Sequence, residues 1–95
     1  MKTIPQRVQA GIKFLDKKYG KKWRKKIDLN TLDLKYSYSC ILGQIDEDFW
    51  SHQAKLKLTD KRTEALGFGL ELYGDYESLT SAWKKALKGK VGRNA

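Results

Sequence analysis

Two side chains have the chemistry of a nucleophile and a base: Cys40 and His52, the only cysteine and the only histidine of the 95-residue chain. A cysteine nucleophile needs an adjacent base and a lowered pKa, and a metal site normally needs three or four clustered ligands. Cys40 precedes two apolar residues, which is typical of a buried structural cysteine. We therefore expect no catalytic residue, no metal site and no cofactor, and we predict a non-enzymatic protein.

Two other motifs could bind ions or phosphates, but neither has the required spacing. Asp46-Glu47-Asp48 lacks the alternating oxygen ligands and the glycine of a calcium loop, and it suits the start of a helix. Gly67-Phe68-Gly69 lacks the Gly-Lys-Ser/Thr sequence of a phosphate-binding loop. A nucleotide-binding enzyme is therefore not expected.

The stretch GKKWRKKID, residues 20–28, places five cations around Trp23. Phosphate contact requires long cationic side chains on an accessible surface. The tryptophan could stack on a base, which requires exposure, or it could belong to the core. The predicted nucleic-acid-binding residues in this stretch and near the end of the chain are Lys21, Lys22, Arg24, Lys25, Lys84, Lys85 and Lys88.

The net charge of +9 is distributed unevenly along the chain. Residues 1–26 carry about +9, residues 27–83 about −5, and residues 84–95 about +5. Such an asymmetry favours a polyanionic partner or a basic docking surface.

The basic N-terminal region also has the apolar period of an amphipathic helix. Thr3 and Pro5 suit a helix start, and Gly20 suits a break or kink. The apolar stripe consists of Val8, Ile12, Leu15, Tyr19, Trp23 and Ile27. Since Trp23 lies on this stripe, we predict a core residue with a basic outer surface around it.

Further helices are predicted along the rest of the chain. A short one spans Ser39 to Ile45, although the alternation of Tyr36, Tyr38 and Cys40 with polar residues also fits a strand. Another runs from Asp48 to about Leu58 with Phe49 and Trp50 at its buried start. Thr59 is expected to cap a turn of helix over residues 60–66.

The last predicted helix has the strongest apolar pattern. Ser78 is its expected N-cap, Gly89 its expected end, and Leu79 and Trp83 belong to its buried side. Alternating apolar residues at 68–72 predict one short extended segment. The fold class is therefore mainly α, a small single domain over residues 1–95 with at most one short β-strand pair and a frayed basic tail at 90–95.

Three landmarks carry a resemblance to a known group of proteins. They are Ile27-Asp28 with Leu32-Asp33, Cys40-Ile41-Leu42-Gly43-Gln44, and Leu79-Thr80-Ser81-Ala82-Trp83. The pattern resembles small, uncharacterised proteins encoded by bacteriophages and prophages, although the Lys-rich run at 17–26 departs from it. The resemblance implies a phage origin and supplies no functional residue.

Two functional hypotheses follow, with no membrane span expected and the cytoplasm of a bacterial host as the expected location. The first is electrostatic binding to nucleic acid through the basic residues. The alternative is a phage inhibitor or modulator that docks on a bacterial host protein, or a virion or assembly component. Docking would use the basic surface against an acidic host surface. Against a basic nucleic-acid-binding groove of a host enzyme, the predicted alternative surface is Asp46, Glu47, Asp48, Glu71, Asp75 and Glu77.

Overall fold

The structure, a computed structural model, describes residues 2–71 and 74–88. Helix α1 spans Ile4–Tyr19 and is followed by a 3₁₀ helix, η1, at Lys21–Lys26. Three short helices follow: α2 at Ile41–Ile45, α3 at Phe49–Lys55 and α4 at Asp60–Ala65. Helix α5 spans Tyr76–Lys88. The described part of the chain contains no strand, so the mainly α fold class is confirmed.

The start and end of α1 follow from local chemistry. The Thr3 hydroxyl accepts a hydrogen bond from the Gln6 backbone N–H, and the Gln6 side chain accepts one from the Thr3 N–H. This reciprocal pair satisfies two backbone donors that a helix start leaves unpaired. Gly20 ends the helix with a φ of 74°, a conformation that glycine adopts at little cost. The predicted cap and the predicted break are both confirmed.

The core lies where α1 packs against α5. Trp83 is fully buried, and its indole Nε1 donates a 2.6 Å hydrogen bond to the carbonyl oxygen of Gly67. Phe68 stacks on the Trp83 ring with the ring centroids 5.9 Å apart. Gly11 of α1 faces the same indole, and its lack of a side chain lets the two helices approach closely.

The segment between η1 and α2 is held by specific hydrogen bonds rather than by regular structure. Leu32 and Leu34 are buried, and the Leu34 N–H donates to the Thr80 hydroxyl of α5 at 2.9 Å. The Gln44 side chain accepts from the Asp28 N–H at 2.6 Å and donates to the Ser39 carbonyl at 2.9 Å. These bonds fix a long loop against α2 and α5.

Several helix boundaries differ from the sequence expectation. Helix α2 begins at Ile41 with Cys40 as its N-cap, and α3 begins at Phe49 with Asp48 as its N-cap. The prediction that Trp50 is buried is wrong, since 66% of it is exposed. In a helix of only two turns, one side of the first turn must face solvent.

The start of α5 also differs from the expectation. The helix begins at Tyr76, before the predicted cap Ser78. The Asp75 carboxylate accepts hydrogen bonds from both the backbone N–H and the hydroxyl of Ser78. Asp75 therefore caps the start of α5, which is the role that was expected of Ser78. The predicted end at Gly89, the tail at 90–95 and the Leu72 end of the predicted extended segment lie outside the described residues.

We predict that Gly11→Ala destabilises the protein by about 1–3 kcal/mol, the usual range for overpacking. A Cβ at this position would overlap the carbonyl oxygen of Leu66 and lie 3.1 Å from the Trp83 ring. At an unconstrained helix position the same change would instead stabilise by about 0.5–1 kcal/mol. Urea unfolding measures the difference, with the exposed α1 position Gln9→Ala as the control. A Gly11→Ala variant as stable as the parent would contradict the close approach.

Candidate nucleic-acid interface

The side chain of Asp16, the one acidic residue among positions 1–26, joins α1 to η1. Its Oδ1 accepts a 2.8 Å hydrogen bond from the Trp23 indole Nε1, and its Oδ2 accepts a 2.6 Å bond from Arg24 Nη2. Both bonds cross the turn at Gly20 and draw η1 back beside the last turns of α1. Trp23 is consequently 2% exposed, so its prediction as a core residue is confirmed and it presents no ring to a base.

Arg24 is part of this arrangement rather than a free surface cation. Its side chain is 14% exposed, and the guanidinium carbon lies 5.8 Å from the centre of the Trp23 ring. A partly buried guanidinium that is paired with a carboxylate and packed on an aromatic ring has its charge largely committed. Of the four predicted cations in this stretch, Lys21, Lys22 and Lys25 remain exposed.

Three more exposed lysines, Lys13, Lys17 and Lys18, lie on α1, which packs against η1. Lys13 and Lys17 are four residues apart and lie opposite the buried residues Val8, Ile12 and Leu15. Sequence periodicity places Lys13 and Lys17 on the outer side of the helix and Lys18 at the edge of the buried stripe, although none of the three was among the predicted site residues. We name the combined set the N-terminal lysines: Lys13, Lys17, Lys18, Lys21, Lys22 and Lys25.

No N-terminal lysine forms a salt bridge to a carboxylate among the described residues. Asp16, the one acidic residue among positions 1–26, is already bonded to Trp23 and Arg24. The longest axis of the protein is 34 Å and the shortest is 22 Å. The Debye length is about 10 Å at 0.1 M salt, so neighbouring charges on so small a body act together on a polyanion. This region is therefore strongly electropositive.

The second predicted basic cluster belongs to α5. Lys84, Lys85 and Lys88 are all exposed, and α5 packs against α1. Helix η1 packs against α1 and α2. Lys84 is among the residues that line a groove whose charged side chains are mostly carboxylates. Lys85 and Lys88 lie in the last turn of α5, where they suit the negative end of the helix dipole.

The six acidic residues of the alternative docking surface fall into two separate groups. Lys55 Nζ lies 2.9 Å from both an Asp46 and a Glu47 carboxylate oxygen, and these bonds raise the pKa of Lys55 and lower that of Asp46. Asp48 caps α3 through the Ser51 N–H. The other three, Glu71, Asp75 and Glu77, line the groove beside α5.

Cys40 and His52 are both buried and have separate structural roles. Burial raises the pKa of the Cys40 thiol, whose Sγ accepts a hydrogen bond from the Gly43 N–H at the start of α2. His52 Nδ1 lies 2.9 Å from the Leu42 carbonyl, which can only accept, so Nδ1 carries the proton. Nε2 then accepts a 2.6 Å bond from the Tyr19 hydroxyl. Sequence reasoning gave no signal for this link between α1 and α3.

Comparisons with protein-family models, with curated proteins and with solved structures found no match to this chain. The resemblance to phage proteins therefore stays a prediction. Among the described residues, no three His, Cys, Asp or Glu side chains form a group that could hold a metal ion. Within the same ranges, no helix is long and apolar enough to span a bilayer.

We predict that Asp16→Ala lowers the free energy of unfolding by about 1–3 kcal/mol, because it leaves a buried indole N–H and a partly buried guanidinium without their acceptor. Asp16→Asn should cost less, since its amide oxygen can still accept from Trp23. Urea unfolding followed by tryptophan fluorescence measures both variants. Equal stability of Asp16→Ala and the parent would show that the carboxylate does not hold η1.

Proposed function

We propose that this protein is a small, non-enzymatic binding protein that contacts nucleic acid electrostatically through the N-terminal lysines. One observation carries the proposal: these six exposed cations lack a carboxylate partner among the described residues, while the one acid of their segment is bonded to Trp23 and Arg24. Cations without a carboxylate partner keep their full charge for contact with an external polyanion.

Unpaired cations so close together repel one another, and phosphates would relieve that repulsion. A like-charged pair four residues apart, such as Lys13 and Lys17, costs a helix about 0.2–0.5 kcal/mol. The dipole of α1 offsets part of this cost for Lys17 and Lys18, which lie in its last turn, but not for Lys13. Binding to phosphates replaces repulsion with attraction and releases condensed counterions.

The expected mode of contact is with the phosphate backbone. Trp23 is the aromatic residue of η1. It is buried and cannot stack on a base. A helix of 16 residues is about 24 Å long, which covers much of one duplex turn of about 34 Å. Contacts of this kind position a protein on the duplex but convey no base sequence, so we expect little sequence preference.

We predict that the triple variant Lys21→Glu, Lys22→Glu, Lys25→Glu binds a labelled 20-base-pair duplex of mixed sequence at least about tenfold more weakly, equivalent to about 1.4 kcal/mol. The loss follows from replacing three phosphate contacts with repulsion. Arg24 is left unchanged because it is bonded to Asp16. Fluorescence anisotropy at constant salt measures the affinity.

The matched control is Lys35→Glu, Lys57→Glu, Lys61→Glu, which alters the net charge equally at exposed lysines of other segments. We expect the control to weaken binding less than about threefold, through long-range electrostatics alone. Equal losses in both triples would show that only the net charge matters and that the N-terminal lysines form no interface. Absence of binding by the parent protein would refute the proposal outright.

A further inference from the structure

A groove of about 1500 Å³ lies between α5, the first turns of α3 and α4, and the loop at 32–37. Sites for small molecules usually measure about 300–1000 Å³ and enclose most of the ligand. This groove is larger and open to solvent, a shape that suits a length of polypeptide. We call it the acidic groove, because its charged lining consists of Asp33, Asp60, Glu64, Glu71, Asp75 and Glu77 against Lys35 and Lys84.

The carboxylates of the acidic groove are not neutralised from within the described chain. Three of them accept hydrogen bonds from neutral groups: Asp33 from the Lys35 backbone N–H, Asp60 from the Gln53 amide and Asp75 from Ser78. The side-chain carboxylates of Glu64, Glu71 and Glu77 form no hydrogen bond or salt bridge with another described residue. The groove therefore presents about four net negative charges on a protein whose total charge is +9.

Exposed aromatic side chains lie in the same groove, independently of its charge. Trp50 is 66% exposed and Tyr36 57% exposed, whereas the other two tryptophans are buried to 2% or less exposure. The Trp50 ring meets the Phe49 ring edge to face, with the ring centroids 4.8 Å apart. An exposed indole beside carboxylates can receive both the methylene stem and the charged head of a lysine or arginine.

We propose that the acidic groove binds an extended, Lys/Arg-rich segment of a partner protein. Charge complementarity selects the occupant: four net negative charges repel a nucleic acid and attract a polycation. The aromatic rings Trp50 and Tyr36 supply the apolar contact that carboxylates alone lack. The cations of α1 and η1 belong to folded helices, so these segments could enter the groove as extended chain only by unfolding. A partner segment that is already extended has no helix to unfold.

The proposal is independent of nucleic-acid binding, because the N-terminal lysines do not line the acidic groove. The test uses a fluorescein-labelled ten-residue peptide in which Arg and Lys alternate with Gly and Ser, and a matched peptide with Gln in place of every cation. Fluorescence anisotropy measures both affinities. We expect the basic peptide to bind at least about tenfold more tightly than the Gln peptide.

The groove variant is Glu64→Gln, Glu71→Gln, Glu77→Gln, which removes three charges from side chains that hold no described hydrogen bond. The control, Asp28→Asn, Asp46→Asn, Glu47→Gln, removes three charges outside the groove. We expect the groove variant to lose at least about tenfold in peptide affinity, which is about 1.4 kcal/mol, and the control less than about threefold. Trp50→Ala should also weaken binding, and urea unfolding verifies that each variant is folded.

Equal losses in the groove variant and the control, or no preference for the basic peptide over the Gln peptide, would overturn the proposal. Sedimentation velocity distinguishes a second copy of this chain as the occupant: self-association of the parent that is lost in the groove variant would also overturn it. Duplex binding measured on the groove variant separates the two functions, since we expect it to be unchanged or stronger.

Discussion

The two hydrogen bonds accepted by the Asp16 carboxylate determine how the basic N-terminal region is presented. The bond from Arg24 joins two charged groups, and the bond from Trp23 satisfies a buried donor. Both bonds span the turn at Gly20. They place the Trp23 indole inside the core and turn Lys21, Lys22 and Lys25 outward. Without this carboxylate, the buried Trp23 indole N–H and the Arg24 guanidinium would lose their common acceptor. One acidic residue thus links η1 to α1 within the electropositive region.

The remaining core supports this arrangement from the other side of α1. Gly11 permits close contact with α5, and Trp83 fills the space while bonding to the Gly67 carbonyl. His52 connects α3 to the end of α1 through Tyr19. In a protein of this size the margin of stability is small, so each of these specific contacts has a large share in defining one structure. The short helices α2, α3 and α4 depend on such contacts because isolated helices of this length do not persist.

Sequence reasoning succeeded where a feature depends on local period or local capping. The burial of Trp23 follows from its place on the stripe with Ile12 and Leu15, and the Thr3 cap and the Gly20 break follow from residue type. It failed where two local signals compete or where contacts are remote. Asp75 and Ser78 are both capable caps, and the structure uses the first. Tertiary contacts pair Arg24 with Asp16 and bring Glu71 and Asp75 together with Trp50 in the acidic groove. A single sequence gives no pattern for such contacts.

The central claim is that the N-terminal lysines form a multi-phosphate contact, and its most direct test is the salt dependence of duplex binding by the parent protein. Each neutralised phosphate contributes about −0.9 to the slope of log affinity against log salt concentration. Four to six engaged lysines therefore predict a slope of about −3.5 to −5.5. A slope between zero and −1, or no binding at low salt, would contradict the claim.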